Sequence, residues 1–269
     1  MSNSDGGWIS LFSGGKESSW ALYRALESGR DVRRLVLIHP PANSQMYHAP
    51  AIAVARLAAR SIGIPIVDVG IPVVDIEPPD IGGDVDPRSR PEDTTAIEPL
   101  EDALRTLDAE LDGGVSGVIT GTVESEFQAD RLRSMCDRIG CEFAAPLWQA
   151  EPTVLLETMI EAGLEIVVVE VTAPGFDESW LGRQLDSDAV ADLEALTGEY
   201  GVHPLGEGGE FETIVTDGPH MSRRISLEFE RVWHGNWGTL RVTDARLETP
   251  PPGDDHHCED DSPPSDNGG

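Results

Sequence analysis

The first half of the chain alternates short apolar runs with amphipathic stretches. Apolar runs bounded by glycine, proline and polar residues predict strands at 8–12, 32–38, 66–69, 117–120 and 142–145. The amphipathic stretches between them predict helices at 17–28, 50–62, 99–111 and 126–139. Strands that alternate with helices form right-handed crossovers, which produce a parallel sheet covered on both faces.

The second half of the chain has fewer helices and more alternation of apolar and polar positions. The pattern predicts, in order, a helix at 152–162, a strand at 165–171, a helix at 187–200 and strand segments at 211–215, 224–232 and 238–248. Because short turns separate the last three segments, we expect them to form an antiparallel meander.

These patterns predict an α/β protein with two domains. A Rossmann-like parallel-sheet domain is expected at 1–146, followed by a smaller α/β domain with antiparallel strands at 147–248. Proline, glycine and acidic residues dominate 70–98 and 249–269. We therefore expect an acidic surface loop in the first of these stretches and a disordered acidic tail in the second.

The composition is strongly acidic, since 49 acidic residues against 19 basic ones give a net charge of −30 over 269 residues. Such a field repels nucleic acid and anionic membranes, so neither is an expected partner. All but one of the basic residues are arginine. This combination indicates adaptation to concentrated salt, where the screening length falls to about 3 Å and self-repulsion largely disappears.

The compartment signals favour a cytoplasmic protein. Cys136, Cys141 and Cys258 form no C-x-x-C pair and no even set for a disulfide framework, which favours a reducing compartment. The N-terminal residues show no secretion signal, and no apolar run reaches about 18 residues. We therefore expect neither export nor a membrane span.

The turn between the first strand and the first helix carries the most informative chemistry. Ser13 precedes the adjacent glycines Gly14 and Gly15, which let several backbone N–H groups point at one place. The N-terminus of the helix adds N–H donors and a partial positive charge. Lys16, the only lysine in the chain, and Ser18 add a charge and a hydroxyl. The turn fits neither G-x-x-x-x-G-K-[ST] nor G-x-G-x-x-G. It predicts a phosphate site, and an ordinary strand–turn–helix connection is the alternative.

Other polar residues follow predicted strands at the same edge of the sheet. Ligands bind beyond the carboxyl ends of parallel strands, and this edge includes His39, His48, Ser125, Gln128 and Arg131. The last three side chains can reach a phosphate or a carboxylate. The alternative for Ser125 and Gln128 is a helix cap, and the alternative for the histidines is a plain loop position.

A second informative stretch lies at Gly206–Glu212, where three glycines and three glutamates occur in seven residues. Its glycines permit close approach of the backbone to a ligand. Glu207, Glu210 and Glu212 can bind Mg²⁺, contact a cationic substrate or act as a base. The alternative is a solvated acidic turn, as expected in so acidic a chain.

Six motifs together resemble one family. They are SGGKES at 13–18, MYH at 46–48, SEFQADR at 125–131, APLW at 145–148, DESWLGR at 177–183 and GVHPLGEGGEFET at 201–213. The first motif resembles the SGGKDS loop of the PP-loop ATP pyrophosphatases, with Glu17 in place of an aspartate. All six resemble the diphthine–ammonia ligase family of archaea and eukaryotes, over residues 8–232 apart from 70–98. With the acidic composition, the resemblance indicates a haloarchaeal source.

The resemblance implies an ATP-dependent amidation. In that family the diphthine carboxylate on a modified histidine of elongation factor 2 becomes the amide of diphthamide. ATP would adenylate the carboxylate and release pyrophosphate, and ammonia would then displace AMP. The implied fold is a PP-loop domain, of the adenine nucleotide alpha hydrolase type, followed by a smaller α/β domain with the substrate between the two.

The resemblance and the residue chemistry together give an expected site that uses ATP and Mg²⁺. The expected catalytic residues are Lys16, Glu207, Glu210 and Glu212, and the expected nucleotide-binding residues are Ser13, Gly14, Gly15, Lys16, Glu17, Ser18, His39, Ser125, Gln128 and Arg131. The expected substrate-binding residues are His48, Trp148, Trp180, Gly208, Gly209 and Thr213. Mg²⁺ is expected to arrive with ATP, and Glu207 or Glu210 is its candidate protein ligand. Trp148 and Trp180 are candidates for a cation–π contact with the trimethylammonium group of diphthine, and a core position for both is the alternative.

Two other classes of protein fit part of the pattern. A PP-loop tRNA-modifying enzyme would need sulfur-handling cysteines or a cluster, and also a basic surface for RNA, and neither is visible in the sequence. A protein that binds adenine nucleotides without chemistry would leave the glutamates of Gly206–Glu212 unexplained.

Overall fold

The computed structural model describes residues 6–39, 49–70 and 97–249. Five parallel strands form the first sheet, in the order β3-β2-β1-β4-β5. Their bounds are β1 Gly7–Leu11, β2 Val32–His39, β3 Ile66–Gly70, β4 Val115–Ile119 and β5 Glu142–Ala144. The helices of this unit are α1 Lys16–Glu27, α2 Ala49–Ile62, α3 Ile97–Glu110 and α4 Glu126–Ile139. The predicted parallel sheet is confirmed, and each element lies within two residues of its predicted bounds.

Helices cover both faces of the first sheet, as the alternation of strands and helices predicts. Leu104 of α3 and Met135 of α4 are buried with Ile9 of β1 on one face. Leu22 of α1 and Ala55 of α2 are buried on the other face. Because both faces are covered, ligands can reach this sheet mainly at its strand ends. The central strand, β1, carries the glycine turn at its carboxyl end.

The second sheet has four antiparallel strands in the order β7-β6-β9-β8. Its strands are β6 Glu165–Val171, β7 Phe211–Asp217, β8 Ile225–Trp233 and β9 Gly238–Leu247, and its helices are α5 Pro152–Glu161 and α6 Ser187–Tyr200. The predicted meander is confirmed for β8 and β9, which pair antiparallel. It is wrong for β7, because β6 lies between β7 and β9, and β7 does not pair with β8. Strand β6 reads EIVVVEV, and its nearly continuous apolar run suits an interior position.

The two sheets share a continuous hydrophobic core. Trp20 of α1 and Val215 of β7 belong to the same buried cluster. The Val215 N–H also donates to the carbonyl of Gly14 at 2.9 Å. At the end of α2, Ser61 Oγ donates to the Arg223 carbonyl at 2.5 Å and accepts the Arg223 N–H at 2.8 Å. These bonds fix the glycine turn and α2 against the second sheet.

Some of the sequence predictions fall outside this description. Residues 71–96 and 250–269 hold nearly all of the predicted acidic loop and tail, and they lie outside the described residues. The domain boundary after residue 146 stays a prediction. No helix in the described ranges is both long enough and apolar enough to span a bilayer.

Candidate functional site

The glycine turn after β1 is closed by its two serines. Ser18 Oγ accepts the Ser13 N–H at 3.2 Å, and Ser13 Oγ accepts the Gly15 N–H at 3.3 Å. Gly14 has a φ of +82°, a left-handed conformation that favours glycine. Gly15 is the N-cap residue of α1 and makes no side-chain cap. This leaves the N–H groups of the first turn for an anion, with the helix dipole in support.

The loop after β4 touches the first turn of α1. A Cβ atom on Gly121 would lie 2.7 Å from the carbonyl carbon of Glu17 and 2.8 Å from the nitrogen of Ser18. Both neighbours are backbone atoms, so no side-chain rotation can relieve the clash. Glycine at this position lets the β4 loop support the turn that is expected to bind phosphate.

We expect Gly121→Ala to weaken ATP binding about tenfold, because an overpacking cost of about 1–3 kcal/mol would displace the first turn of α1. Isothermal titration calorimetry with ATP measures this change. Gly198→Ala is the matched control, because a Cβ atom there meets nothing within 4 Å. Equal ATP affinities for the two variants would contradict this role for Gly121.

Lys16 lies between the glycine turn and the second informative stretch. Only 2% of this residue is exposed. Its Nζ donates to the Leu205 carbonyl at 2.7 Å and forms an ion pair with Glu17 at 2.7 Å. The same atom lies 4.9 Å from the centre of the Phe211 ring. The single lysine of the chain thus joins the two stretches that the sequence singled out.

Residues 203–210, called the acidic turn below, have a defined backbone shape. Gly206 and Gly209 have φ angles of +71° and +78°, which favour glycine. Thr172, just after β6, donates its hydroxyl to the Gly209 carbonyl at 2.6 Å. The backbone N–H of Thr172 donates to the Glu210 carbonyl at 2.8 Å. The acidic turn is therefore anchored to the second sheet at the entrance to β7.

Glu207 carries the most perturbed carboxyl of the acidic turn. Crowding by surrounding protein atoms raises the pKa of Glu207 to about 7, with the charges of Glu17, Glu124 and Glu210 adding to the rise and Lys16 opposing it. Although neighbouring atoms crowd its carboxyl, Glu207 is exposed at the surface, so a ligand can reach it. A carboxyl that titrates near neutral pH can both accept and release a proton under working conditions.

Two polar side-chain atoms of residues 203–213 are buried without a hydrogen-bond partner among the described residues. They are Glu210 Oε2 and Thr213 Oγ1. The other carboxylate oxygen, Glu210 Oε1, accepts the His203 N–H at 3.2 Å. A Cβ atom on Gly208 would lie 2.7 Å from that oxygen. Buried polar atoms of this kind generally meet a ligand, an ion or a water molecule.

Magnesium fits this site together with a nucleotide. Within the part of the chain that the structure describes, no three His, Cys, Asp or Glu side chains form a metal site by themselves. Mg²⁺ usually takes one or two carboxylates, phosphate oxygens and several waters. The buried Oε2 atom of Glu210 suits the role of a single protein ligand.

Glu212 is separated from the other predicted catalytic residues. Successive side chains along a strand point to opposite faces. Because the Phe211 ring lies beneath Lys16, Glu212 projects from the other face of the sheet, where it is exposed. Its neighbour in the strand register is Glu170 of β6. The structure thus brings Lys16, Glu207 and Glu210 together and leaves Glu212 apart.

Of the two predicted histidines, only His39 lies within the described residues, and the contact recorded for its ring is with a carboxylate. His39, at the end of β2, places its Nε2 atom 2.6 Å from Asp68 Oδ1. Arg56 contacts the other oxygen of Asp68 at 3.1 Å. His39 is therefore engaged by a carboxylate of the neighbouring strand. His48 lies outside the described residues.

Ser125 is the N-cap residue of α4, because its Oγ accepts the Gln128 N–H at 3.3 Å. The N-cap at Ser125 is thus confirmed, with the Gln128 backbone N–H as its donor. The Arg131 guanidinium carbon lies 5.1 Å from the centre of the exposed Phe127 ring. A role for Ser125, Gln128 or Arg131 in binding phosphate stays a prediction.

The two candidate tryptophans differ in position. Trp180 is 6% exposed. Phe176 meets its ring edge-on at 5.0 Å, and the Arg183 guanidinium carbon lies 4.5 Å from its centre. Trp180 therefore has the core position that was the alternative interpretation. Trp148 is half-buried and follows β5 at the ligand edge, so it remains a candidate for substrate contact.

His203 is a residue of this site that sequence reasoning did not single out. Its Nε2 atom lies 3.5 Å from Glu124 Oε2, across the gap between the acidic turn and the loop after β4. The available signal was a histidine inside a motif otherwise rich in glycine and glutamate. Its contacts depend on the folded shape of the turn, which the sequence does not reveal.

Two family models match the chain. The diphthamide synthase N-terminal domain matches residues 7–75, and the diphthamide synthase C-terminal domain matches residues 151–247. These matches include the glycine turn and the acidic turn.

Curated relatives are similar over most of this chain. A diphthine–ammonia ligase of Danio rerio is 28% identical, over 89% of this chain and 96% of the relative. The enzyme of that name from Homo sapiens is 27% identical, over 82% of this chain and 83% of the relative. For the Schizosaccharomyces pombe enzyme of the same name, identity is 29%, and the match covers 83% of this chain but only 36% of the longer relative.

A solved structure with a looser likeness is titled as a predicted subunit of tRNA methyltransferase from Methanocaldococcus jannaschii. It covers 79% of this chain and 98% of its own, with a TM-score of 0.38 and 14% identity. A likeness at that level carries no information about activity.

Proposed function

Because the chain belongs to the diphthamide synthase family, we propose that it is an ATP-dependent diphthine–ammonia ligase acting on elongation factor 2. The observation that carries the proposal is the position of Lys16. This side chain joins the glycine turn to the acidic turn through Glu17 and the Leu205 carbonyl. A phosphate-binding element and a titratable carboxyl thus meet at one place, as an amidation by adenylation requires.

The chemistry has two steps. A carboxylate does not react with ammonia until one of its oxygens becomes a good leaving group. In the first step the diphthine carboxylate attacks the α-phosphorus of ATP, which forms an acyl adenylate and releases pyrophosphate. In the second step the nitrogen of ammonia attacks the acyl carbon, and AMP leaves with the electron pair of the broken C–O bond.

The glycine turn is the proposed phosphate site. The N–H groups of the first turn of α1 would bind phosphate oxygens of ATP. Lys16 would stabilise the negative charge that develops on the leaving pyrophosphate. Mg²⁺, held by Glu210 and the phosphates of ATP, would supply further charge neutralisation when bound.

Glu207 is the proposed proton acceptor of the second step. Ammonia is largely protonated at neutral pH, so the nucleophile must lose a proton before it attacks. Glu17, Glu124 and Glu210 surround Glu207 with negative charge, which favours binding of ammonium. Because the pKa of Glu207 is about 7, its carboxylate can take up that proton near neutral pH.

The substrate is proposed to enter at the ligand edge of the first sheet. Trp148 lies at this edge and is our candidate for contact with the trimethylammonium group of diphthine, a cation–π contact of about 0.5–2 kcal/mol.

The proposal includes a cytoplasmic location, since elongation factors act on ribosomes there. The adaptation to concentrated salt stays a prediction from composition.

The direct test uses purified protein in concentrated KCl with Mg-ATP and elongation factor 2 that carries diphthine, with and without ammonium. Mass spectrometry of the factor and AMP release are measured together. We expect one amide per factor and one AMP per amide, only when ATP and ammonium are both present. If ATP bound tightly but was never split with authentic substrate, the chain would be a nucleotide-binding protein and the proposal would be wrong. Modification of tRNA in place of the factor would support the tRNA-modifying alternative.

A further inference from the structure

We propose that His203 is a positioning residue, which holds the acidic turn in the shape that the amidation step needs. The inference rests on the proposed function, because its consequence is a change in that reaction. His203 reaches the expected site only through the groups that it contacts: Glu207 and Lys16 through its ring and Leu205, and Glu210 through its own N–H. Hydrogen bonds of the His203 ring and of its main chain support this role.

The ring of His203 lies against the backbone of its own turn. Its Nδ1 atom accepts the Leu205 N–H at 3.2 Å and the Glu207 N–H at 3.5 Å. The carbonyl of His203 accepts the Gly206 N–H at 2.9 Å. One residue therefore fixes three successive parts of the segment that carries the Glu207 carboxyl.

The backbone of Leu205 is held at both its N–H and its carbonyl. Its N–H is bound by the His203 ring, and its carbonyl accepts the hydrogen bond from Lys16 Nζ. Leu205 itself is buried, so the backbone there has little room to shift. Through this residue the position of the imidazole determines where the Lys16 ammonium is anchored.

The outer nitrogen of His203 faces the loop after β4. Because Nδ1 accepts two N–H groups, the neutral ring carries its proton on Nε2. That atom faces Glu124 Oε2 at 3.5 Å. Glu124 belongs to the loop after β4, so this contact connects the edge of the first sheet to the acidic turn.

The same geometry argues against a role as the base. The nitrogen that accepts hydrogen bonds is occupied by backbone donors, and the other nitrogen carries a proton. Only 22% of the side chain is exposed. His203 therefore acts through the groups that it places, and a misplacement of about 1 Å at a reacting group can cost about 100-fold in rate.

Two substitutions test the roles of the two ring nitrogens separately. In His203→Asn the side-chain oxygen stands near the position of Nδ1, so it can still accept the Leu205 and Glu207 N–H groups. In His203→Gln the amide reaches the position of Nε2 and the contact with Glu124, while the acceptor at Nδ1 is lost. The exposed His234 provides a matched control as His234→Gln.

We expect His203→Asn to keep kcat for amide formation within about threefold of the parent, and His203→Gln to lose about 30-fold. The KM for ATP should change less than threefold in both, because the glycine turn is intact, whereas the KM for ammonium should rise in His203→Gln. Thermal unfolding identifies any variant that fails to fold, and rescue by Asn distinguishes positioning of the turn from loss of the ring.

Full activity of His203→Gln, or loss in Asn with retention in Gln, would overturn the inference, because the Nδ1 bonds would then be dispensable. Equal losses in both variants would overturn it too. These outcomes differ from failure of the proposed function, in which the parent chain and His234→Gln would themselves form no amide with elongation factor 2.

Discussion

We expect Lys16→Met to form amide at less than about 1% of the parent rate, because removal of a single preorganised donor at a developing charge costs about 100-fold or more. The charge of Lys16 acts at two places at once. It is available to the leaving pyrophosphate at the glycine turn, and it anchors the acidic turn through the Leu205 carbonyl. The loss should appear in both AMP release and amide formation, since adenylation is the first step.

One control variant and a stability measurement interpret this result. Arg24 lies two turns along the same helix and is exposed, so Arg24→Met removes one positive charge from α1 without touching the site. It should keep nearly full activity in the same buffer.

Lys16→Met also leaves the Leu205 carbonyl without its donor and Glu17 without its ion pair. We therefore expect it to lower the free energy of unfolding by about 1–3 kcal/mol. A folded Lys16→Met enzyme with parental AMP release would exclude Lys16 from the adenylation step.

The parts of the fold that could be predicted are those set by local sequence. Strand–helix alternation predicts the parallel sheet, and the Ser125 cap and the glycine turn follow from side chains a few residues apart. The order of the second sheet did not follow, because β6 pairs with β7 and β9 across 40 or more residues of chain. Such pairings depend on long-range packing, for which local turn signals give no information.

The candidate site, too, could be predicted only in the parts that local sequence determines. Residue chemistry alone identifies Lys16 and the glutamates of Gly206–Glu212 as candidates. Which glutamate faces Lys16 depends on where β7 begins, since starting the strand at Phe211 places Glu212 on the opposite face. The role of His203 depends on hydrogen bonds to its own backbone, and these exist only after the turn has folded.

We expect Glu207→Gln to lower amide formation by about 100-fold or more at neutral pH, since general bases typically contribute 10²–10⁴-fold. Its effect on adenylation should be much smaller, so AMP release on the first turnover separates the two steps. Glu207→Asp keeps a carboxylate on a shorter arm and should retain part of the activity. Glu194→Gln, on the exposed side of α6, is the matched control.

The pH dependence of the parent enzyme follows from the pKa of Glu207. Only the ionised carboxylate can accept a proton from ammonium. The rate of amide formation should therefore rise with pH, with the midpoint of this rise (the activity limb) near pH 7. The folded chain binds a proton that the unfolded chain releases above the ordinary glutamate value of 4.5. This group therefore makes the free energy of unfolding fall as pH rises from about 4.5 to 7. Glu207→Gln should lose both the activity limb and this fall in stability.

Salt tests the cause of the shifted pKa. The contributions of Glu17, Glu124 and Glu210 act through charge and are screened as KCl rises, whereas the contribution of burial is not. Raising the KCl concentration should therefore move the activity limb of the parent to lower pH, part of the way toward the ordinary glutamate value. A limb that stays fixed with salt would assign the shift to burial alone. A rate that still rises and then levels off near pH 7 in Glu207→Gln would show that another group accepts the proton.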